Sequence, residues 1–122
     1  MNYTTILIDN KKIGLKFGLA SFRYLKDRFV EGKSFENNEL TEIGIAYILY
    51  SGYYNNCIIK DAELEYSFEY FVDFVESNLT NQVVLEAIKD IISLWAENDF
   101  IKKEELDSKK PEAKKKTIRG KK

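Results

Sequence analysis

Residues 39–54 read ELTEIGIAYILYSGYY. At about 100° per residue, Leu40, Ile43, Ile45, Ala46, Tyr47, Ile48, Leu49 and Tyr50 go all the way round a helical wheel. A helix apolar on every side is central to its own domain, or is covered on one side by its domain and on the other by a second subunit. Gly44, Ser51 and Gly52 are small enough to let neighbouring backbone come close. Asn38 is a candidate N-cap, and Glu39 and Glu42 suit a first turn. Asn55-Asn56 then closes the helix near Tyr54, and Cys57-Ile58-Ile59 reads as a short apolar link, with Cys57 a core thiol.

The flanking sequence supplies the layers such a helix needs. Upstream, YTTILI at 3–8 is β-branched and aromatic, and Asp9-Asn10-Lys11-Lys12 is turn chemistry, because Asn and Asp tolerate the left-handed region. Ile13, Leu15 and Phe17 then alternate with Gly14 and Lys16, the period of a half-buried strand. Together these predict an N-terminal β-hairpin. An isolated hairpin is marginal in water, so its apolar face should lie on helices. Gly18 breaks the strand. From Leu19 the period is helical, with Phe22, Leu25 and Phe29 on one face and Arg23, Asp27 and Arg28 on the other; Gly32 is the expected terminator. The segment KSFENN at 33–38 reads as a loop.

Downstream, a third helix is expected over Glu65–Asn78, with three stripes. Phe68, Phe71, Val72 and Val75 form a core stripe, and Glu65, Glu69, Asp73 and Glu76 an acidic one. Tyr66, Tyr70 and Phe74 lie roughly opposite the core. Like charges at this spacing cost a few tenths of a kcal/mol per pair. The acidic row is either a solvated face or the rim of a contact. The aromatic row is either a contact surface or is covered by the fourth helix or the hairpin. That fourth helix runs over Asn81–Asn98, capped by Thr80 or Asn81, with Val84, Ile88, Ile91, Ile92 and Trp95 as its core face.

Composition removes whole classes of chemistry. The 122 residues hold one Cys, no His and one Pro, Pro111. No intrachain disulfide is possible, zinc is disfavoured, and His-based catalysis is excluded. The carboxylates fall on expected solvent faces, without the apolar pocket that shifts a carboxyl pKa. No Gly-rich phosphate loop or EF-hand spacing occurs. No apolar run approaches the ~20 residues of a membrane span, and the N-terminus lacks a signal-peptide pattern. Asn2-Tyr3-Thr4 and Asn78-Leu79-Thr80 are therefore chance matches to a glycosylation sequon. The expectation is a soluble, intracellular, non-enzymatic protein with no cofactor, no metal and no membrane contact.

The net charge of −1 hides a split. Residues 1–108 carry 11 basic and 19 acidic side chains, a net of −8, whereas residues 109–122 carry eight basic side chains and Glu112, a net of +7. Lys109, Lys110, Lys114, Lys115, Lys116, Arg119, Lys121 and Lys122 make this end a disordered basic tail by composition. It is either a docking arm for an acidic partner or a solubilising end. The fold expected is α+β and mainly helical: one globular domain over 1–101, built from a hairpin packed on four helices, then a charged tail over 102–122.

The order of segments also carries a likeness. A strand ends in Lys16-Phe17-Gly18 and runs straight into an aromatic-Leu helix, as KFGLASFRYL. An apolar helix with Tyr and small residues follows, then FEYFVDFVESN at 68–78 and a helix ending near Trp95. Over residues 3–98 this pattern resembles the tail assembly chaperones of long-tailed bacteriophages and prophages. The resemblance implies a protein of the bacterial host cytoplasm, absent from the mature virion. It would bind the tape-measure protein, keep it soluble and help recruit major tail-tube protein subunits. It also implies a second, longer product made by ribosomal frameshifting, which A-rich codons for the lysines at 109–110, 114–116 and 121–122 would suit. On this reading Tyr66, Tyr70 and Phe74 contact the client and Glu69 and Asp73 form the rim; Tyr70→Ala and Phe74→Ala should weaken binding with little change in melting temperature.

Two other functions fit the residues. One is a nucleic-acid-binding accessory protein using the basic tail, against which the −8 body argues. The other is a small structural head–tail or adaptor protein that stays in the particle. A homo-oligomer is compatible with the all-round apolar helix. The tail also has the right charge to fold back on the acidic stripe of the third helix.

Overall fold

The computed structural model describes residues 2–29, 33–37 and 39–97. Strands β1 (Tyr3–Ile8) and β2 (Lys11–Lys16) form the expected antiparallel hairpin, with Ile6 opposite Ile13 and Ile8 opposite Lys11. Its turn is Asp9-Asn10 alone, with φ of 54° and 64°, so Lys11 and Lys12, expected in the turn, belong to β2 instead. Both turn residues are left-handed, as in a type I′ turn, whose twist matches the strands it joins. Ile6, Ile8, Ile13, Leu15 and Phe17 are buried, so one hairpin face belongs to the core.

Helix α1 (Leu19–Arg28) begins where Ser21 Oγ accepts the Gly18 N–H at 2.9 Å. It ends at Phe29; Gly32 lies outside the described residues. A second, two-residue hairpin, β3 (Phe35–Glu36) with β4 (Glu39–Leu40), replaces the expected loop, turning through Asn37 at φ 55°.

Helix α2 (Glu42–Lys60) is the axis of the fold, and β2, α1, the following helix α3 (Phe68–Ser77) and the last helix α4 (Gln82–Ala96) all pack on it. This is the central role its all-round apolar pattern predicts. Both its ends differ from expectation. Thr41, not Glu39 or Asn38, precedes the first turn, and its Oγ1 accepts the Gly44 N–H at 3.1 Å; Asn38 itself lies outside the described residues. The C-terminus runs past Asn55-Asn56 to Lys60. There Ala62 N–H reaches Cys57 O at 2.9 Å and Asp61 N–H reaches Ile58 O at 3.2 Å, with Asp61 at φ 54°. This is a Schellman closure with Asp in the position glycine usually takes.

The two asparagines do not end the helix because each has a buried role. Asn55 Oδ1 accepts the Ser21 N–H at 3.1 Å, joining α2 to the start of α1. The Asn56 amide lies against Gly14, where a Cβ would stand 2.7 Å from Nδ2. Cys57 is buried, as expected, with Sγ 3.8 Å from Glu63 O.

Helix α3 starts at Phe68 rather than Glu65, with Ser67 Oγ accepting the Tyr70 N–H at 3.2 Å. The preceding backbone is held instead by Tyr53, whose buried hydroxyl accepts the N–H groups of Glu65 (2.6 Å) and Tyr66 (3.0 Å). Helix α4 is capped by Asn81, one of the two residues expected, with Oδ1 accepting the Val84 N–H at 3.3 Å, and it buries Ile88 and Ile91. The hairpin and four helices share one hydrophobic core. The expected end of α4 at Asn98, the domain limit at 101 and the tail beyond it lie outside the described residues.

Candidate docking surfaces

The aromatic row is placed differently from its wheel position. Tyr66, Tyr70 and Phe74 are half-buried and pack against the core rather than standing opposite it. The Tyr66 ring stacks on Tyr70 at 4.9 Å and leans on buried Tyr53 at 5.7 Å. The Tyr70 hydroxyl donates to Asp9 Oδ2 at 2.7 Å, which ties α3 to the hairpin turn. That bond, then burial, pushes the phenol up to about 12. Phe74 lines a small cleft of about 290 Å³ with Ile8, Asp9 and Asn78. The hairpin thus covers part of each ring, and the wheel misses this because it treats the helix alone. Glu65, Glu69, Asp73 and Glu76 are exposed. The surface there is an acidic ridge beside partly covered rings. The eight basic residues from Lys109 to Lys122 lie outside the described residues.

A second surface is absent from the sequence reading. Because α2 continues to Lys60, its last turns stand beside α1 and enclose an open groove of about 640 Å³. Leu19, Ile58 and Ile59 line it and are 45%, 52% and 61% exposed. Tyr24 and Tyr54 meet on its wall as tilted rings with centres 5.2 Å apart, and the Arg28 guanidinium lies 4.5 Å from the Tyr24 ring centre. Burial raises the Tyr24 phenol to about 12 against the opposing pull of Arg28. Lys16, Arg23 and Arg28 outnumber Asp27 on the rim. Buried Asn55 also borders the groove, and its Nδ2 has no hydrogen-bond partner among the described residues.

The available sequence signal was the continuation of helical spacing from Tyr54 to Ile58, masked by the two asparagines between them. Chemically, the groove can take apolar side chains on its floor and carboxylates on its rim. Among the described residues, no group of three or more His, Cys, Asp or Glu could hold a metal ion, and no helix is long and apolar enough to cross a membrane. No protein family, curated protein or solved structure matches the chain.

Proposed function

We propose that this protein is a non-enzymatic tail assembly chaperone. It would bind helical stretches of a phage tape-measure protein in the bacterial host cytoplasm, help recruit major tail-tube protein subunits, and be left out of the mature virion. The observation that carries this reading is the α1–α2 groove, where three large apolar side chains stand open to water between cationic neighbours. An amphipathic helix with carboxylates beside its apolar stripe complements such a groove in both respects.

The magnitudes suit a transient hold. Fully burying an Ile or Leu side chain contributes ~1.5–3 kcal/mol, so covering three that are already half-buried contributes about 1 kcal/mol each. A few kcal/mol per site gives a weak, reversible contact, and a long client engages many copies to make up the rest. The acidic ridge of α3, with Glu69 and Asp73 beside Tyr66, Tyr70 and Phe74, is proposed as a second contact for client or tube subunits.

Co-expression with helical segments of a phage tape-measure protein tests the reading. The wild type should keep those segments in the soluble fraction. Ile58→Asp and Ile59→Asp, at exposed positions, should lose at least tenfold in affinity while melting within a few degrees of the wild type. Retention of full affinity by both variants would remove the groove from the function. A gene neighbourhood lacking a tail-tube gene and a very long tape-measure gene would remove the phage reading itself.

A further inference from the structure

The hairpin is a two-stranded sheet, so both strands are edges, and the two edges are unlike. β2 carries Lys11, Lys12 and Lys16 and lies against α2. Lysines on an edge strand oppose pairing with another chain. β1, YTTILI, has no charged residue and no Pro or Gly. Among the described residues, β2 is the only strand it pairs with.

The register shows which backbone groups of β1 have no partner among the described residues. Phe17 N–H donates to Asn2 O at 2.8 Å, so Asn2 and Phe17 form a hydrogen-bonded pair. In an antiparallel ladder such pairs alternate. Thr4 with Leu15, Ile6 with Ile13 and Ile8 with Lys11 are then the bonded pairs that follow. Tyr3, Thr5 and Leu7 therefore turn their N–H and C=O groups away from β2. The same three residues are the exposed ones, with Tyr3 39% and Leu7 59% exposed.

We infer that β1 is an interaction edge whose partner is a second copy of this chain, paired antiparallel about Thr5. In that register Thr5 faces its own mate, and Tyr3 faces Leu7 of the other copy. Every outward N–H and C=O of these residues gains a partner. The pairing is isologous, as a two-fold dimer requires. It also sets an aromatic ring against an aliphatic side chain on each side of the axis, a favourable cross-strand pair. The product is a four-stranded sheet with lysines confined to its outer strands. A single added strand is a small interface compared with those of stable dimers, so the dimer is weak and concentration-dependent. It uses neither the groove nor the α3 ridge, and so stands independently of the chaperone reading.

The full chain tests this in two ways. In sedimentation equilibrium, the wild-type mass should rise from monomer toward dimer with concentration. Thr5→Pro removes an outward N–H without breaking a bond to β2, and should remain monomeric with a near-wild-type melting temperature. With oxidised glutathione as electron acceptor, Thr5→Cys should form an interchain disulfide, because opposed bonded residues lie about 5.5 Å apart at Cα. Leu7→Cys should not, being displaced from its own counterpart by roughly 13 Å along the strand. A mixture of Tyr3→Cys and Leu7→Cys should cross-link heterotypically. Wild type that stays monomeric at the highest attainable concentration overturns the inference. So does a dimer unaffected by Thr5→Pro, or cross-linking equal at positions 5 and 7. If Thr5→Pro does not fold, the cysteine comparison decides alone.

Discussion

Gly52 shows how closely single positions are fitted. A Cβ added there would stand 2.7 Å from Phe17 Cε1 and 3.1 Å from Leu15 Cβ, both on the buried hairpin side of α2. Alanine is the better helix former by up to ~1 kcal/mol, but overpacking a core typically costs about 1–3 kcal/mol. The clash should win. Gly52→Ala is expected to lower the denaturant midpoint by an amount corresponding to about 1–2 kcal/mol. Gly18 is the contrast: a Cβ there meets the Asn55 amide at 3.5 Å, an ordinary contact. Gly18→Ala should therefore bring no overpacking and cost only the preference for Gly over Ala at the N-cap of α1, up to about 1 kcal/mol.

At the scale of elements, the helix ends follow from side chains that satisfy backbone groups. Thr41, Ser67 and Asn81 each accept an N–H from the first turn of their helices. Removing such a cap typically costs ~1 kcal/mol. Asn81 is exposed, so its loss removes little packing. Asn81→Ala should lower unfolding free energy by about 1 kcal/mol, and Asn81→Ser should restore most of it. Equal stability of Asn81→Ala and wild type in urea would show that water caps α4 just as well. The clamp of Tyr53 on Glu65 and Tyr66 is the same principle applied between elements, with a core phenol shortening α3 by holding the backbone that precedes it.

Across the whole molecule, tyrosines join the layers and give stability an alkaline limit. Tyr24 and Tyr70 hold their protons to about 12, the first through burial and the second through its bond to Asp9. Burial also raises Tyr50 and Tyr53. An unfolded tyrosine ionises near 10. Between about pH 10 and 12 the unfolded chain therefore binds fewer protons than the folded one, and stability falls as pH rises. Below pH 10 these groups contribute no slope. Urea midpoints should be flat with respect to these phenols up to that point and then decline, with tyrosinate absorbance lagging behind that of the unfolded protein. Tyr70→Phe should remove its share of the lag, and an unchanged titration would show that the Tyr70–Asp9 bond does not persist in solution.

The β-branched run YTTILI and the alternation of Ile13, Leu15 and Phe17, with turn chemistry at 9–12 between them, were enough to specify a hairpin; the left-handed angles of Asp9 and Asn10 confine the turn to those two residues and put Lys11 and Lys12 in β2. The apolar wheel of residues 40–50 narrowed the second helix to a central one or one shared with a second subunit, and Thr80 or Asn81 bracketed the start of α4, which Asn81 caps. These are local properties: backbone preference and hydrophobic period act over a few neighbouring residues. Tertiary structure alone decided what depends on distant partners. Asn55 and Asn56 read as a stop, yet they sit inside α2 because Ser21 and Gly14 occupy their polar groups or pack against them. Tyr70 lies on an outward stripe of an isolated helix, yet it is tied to Asp9 at the hairpin turn. The α1–α2 groove exists only because that continued helix passes beside α1. A polar or aromatic side chain goes where its partner is, and long-range packing rather than sequence spacing sets where that partner lies.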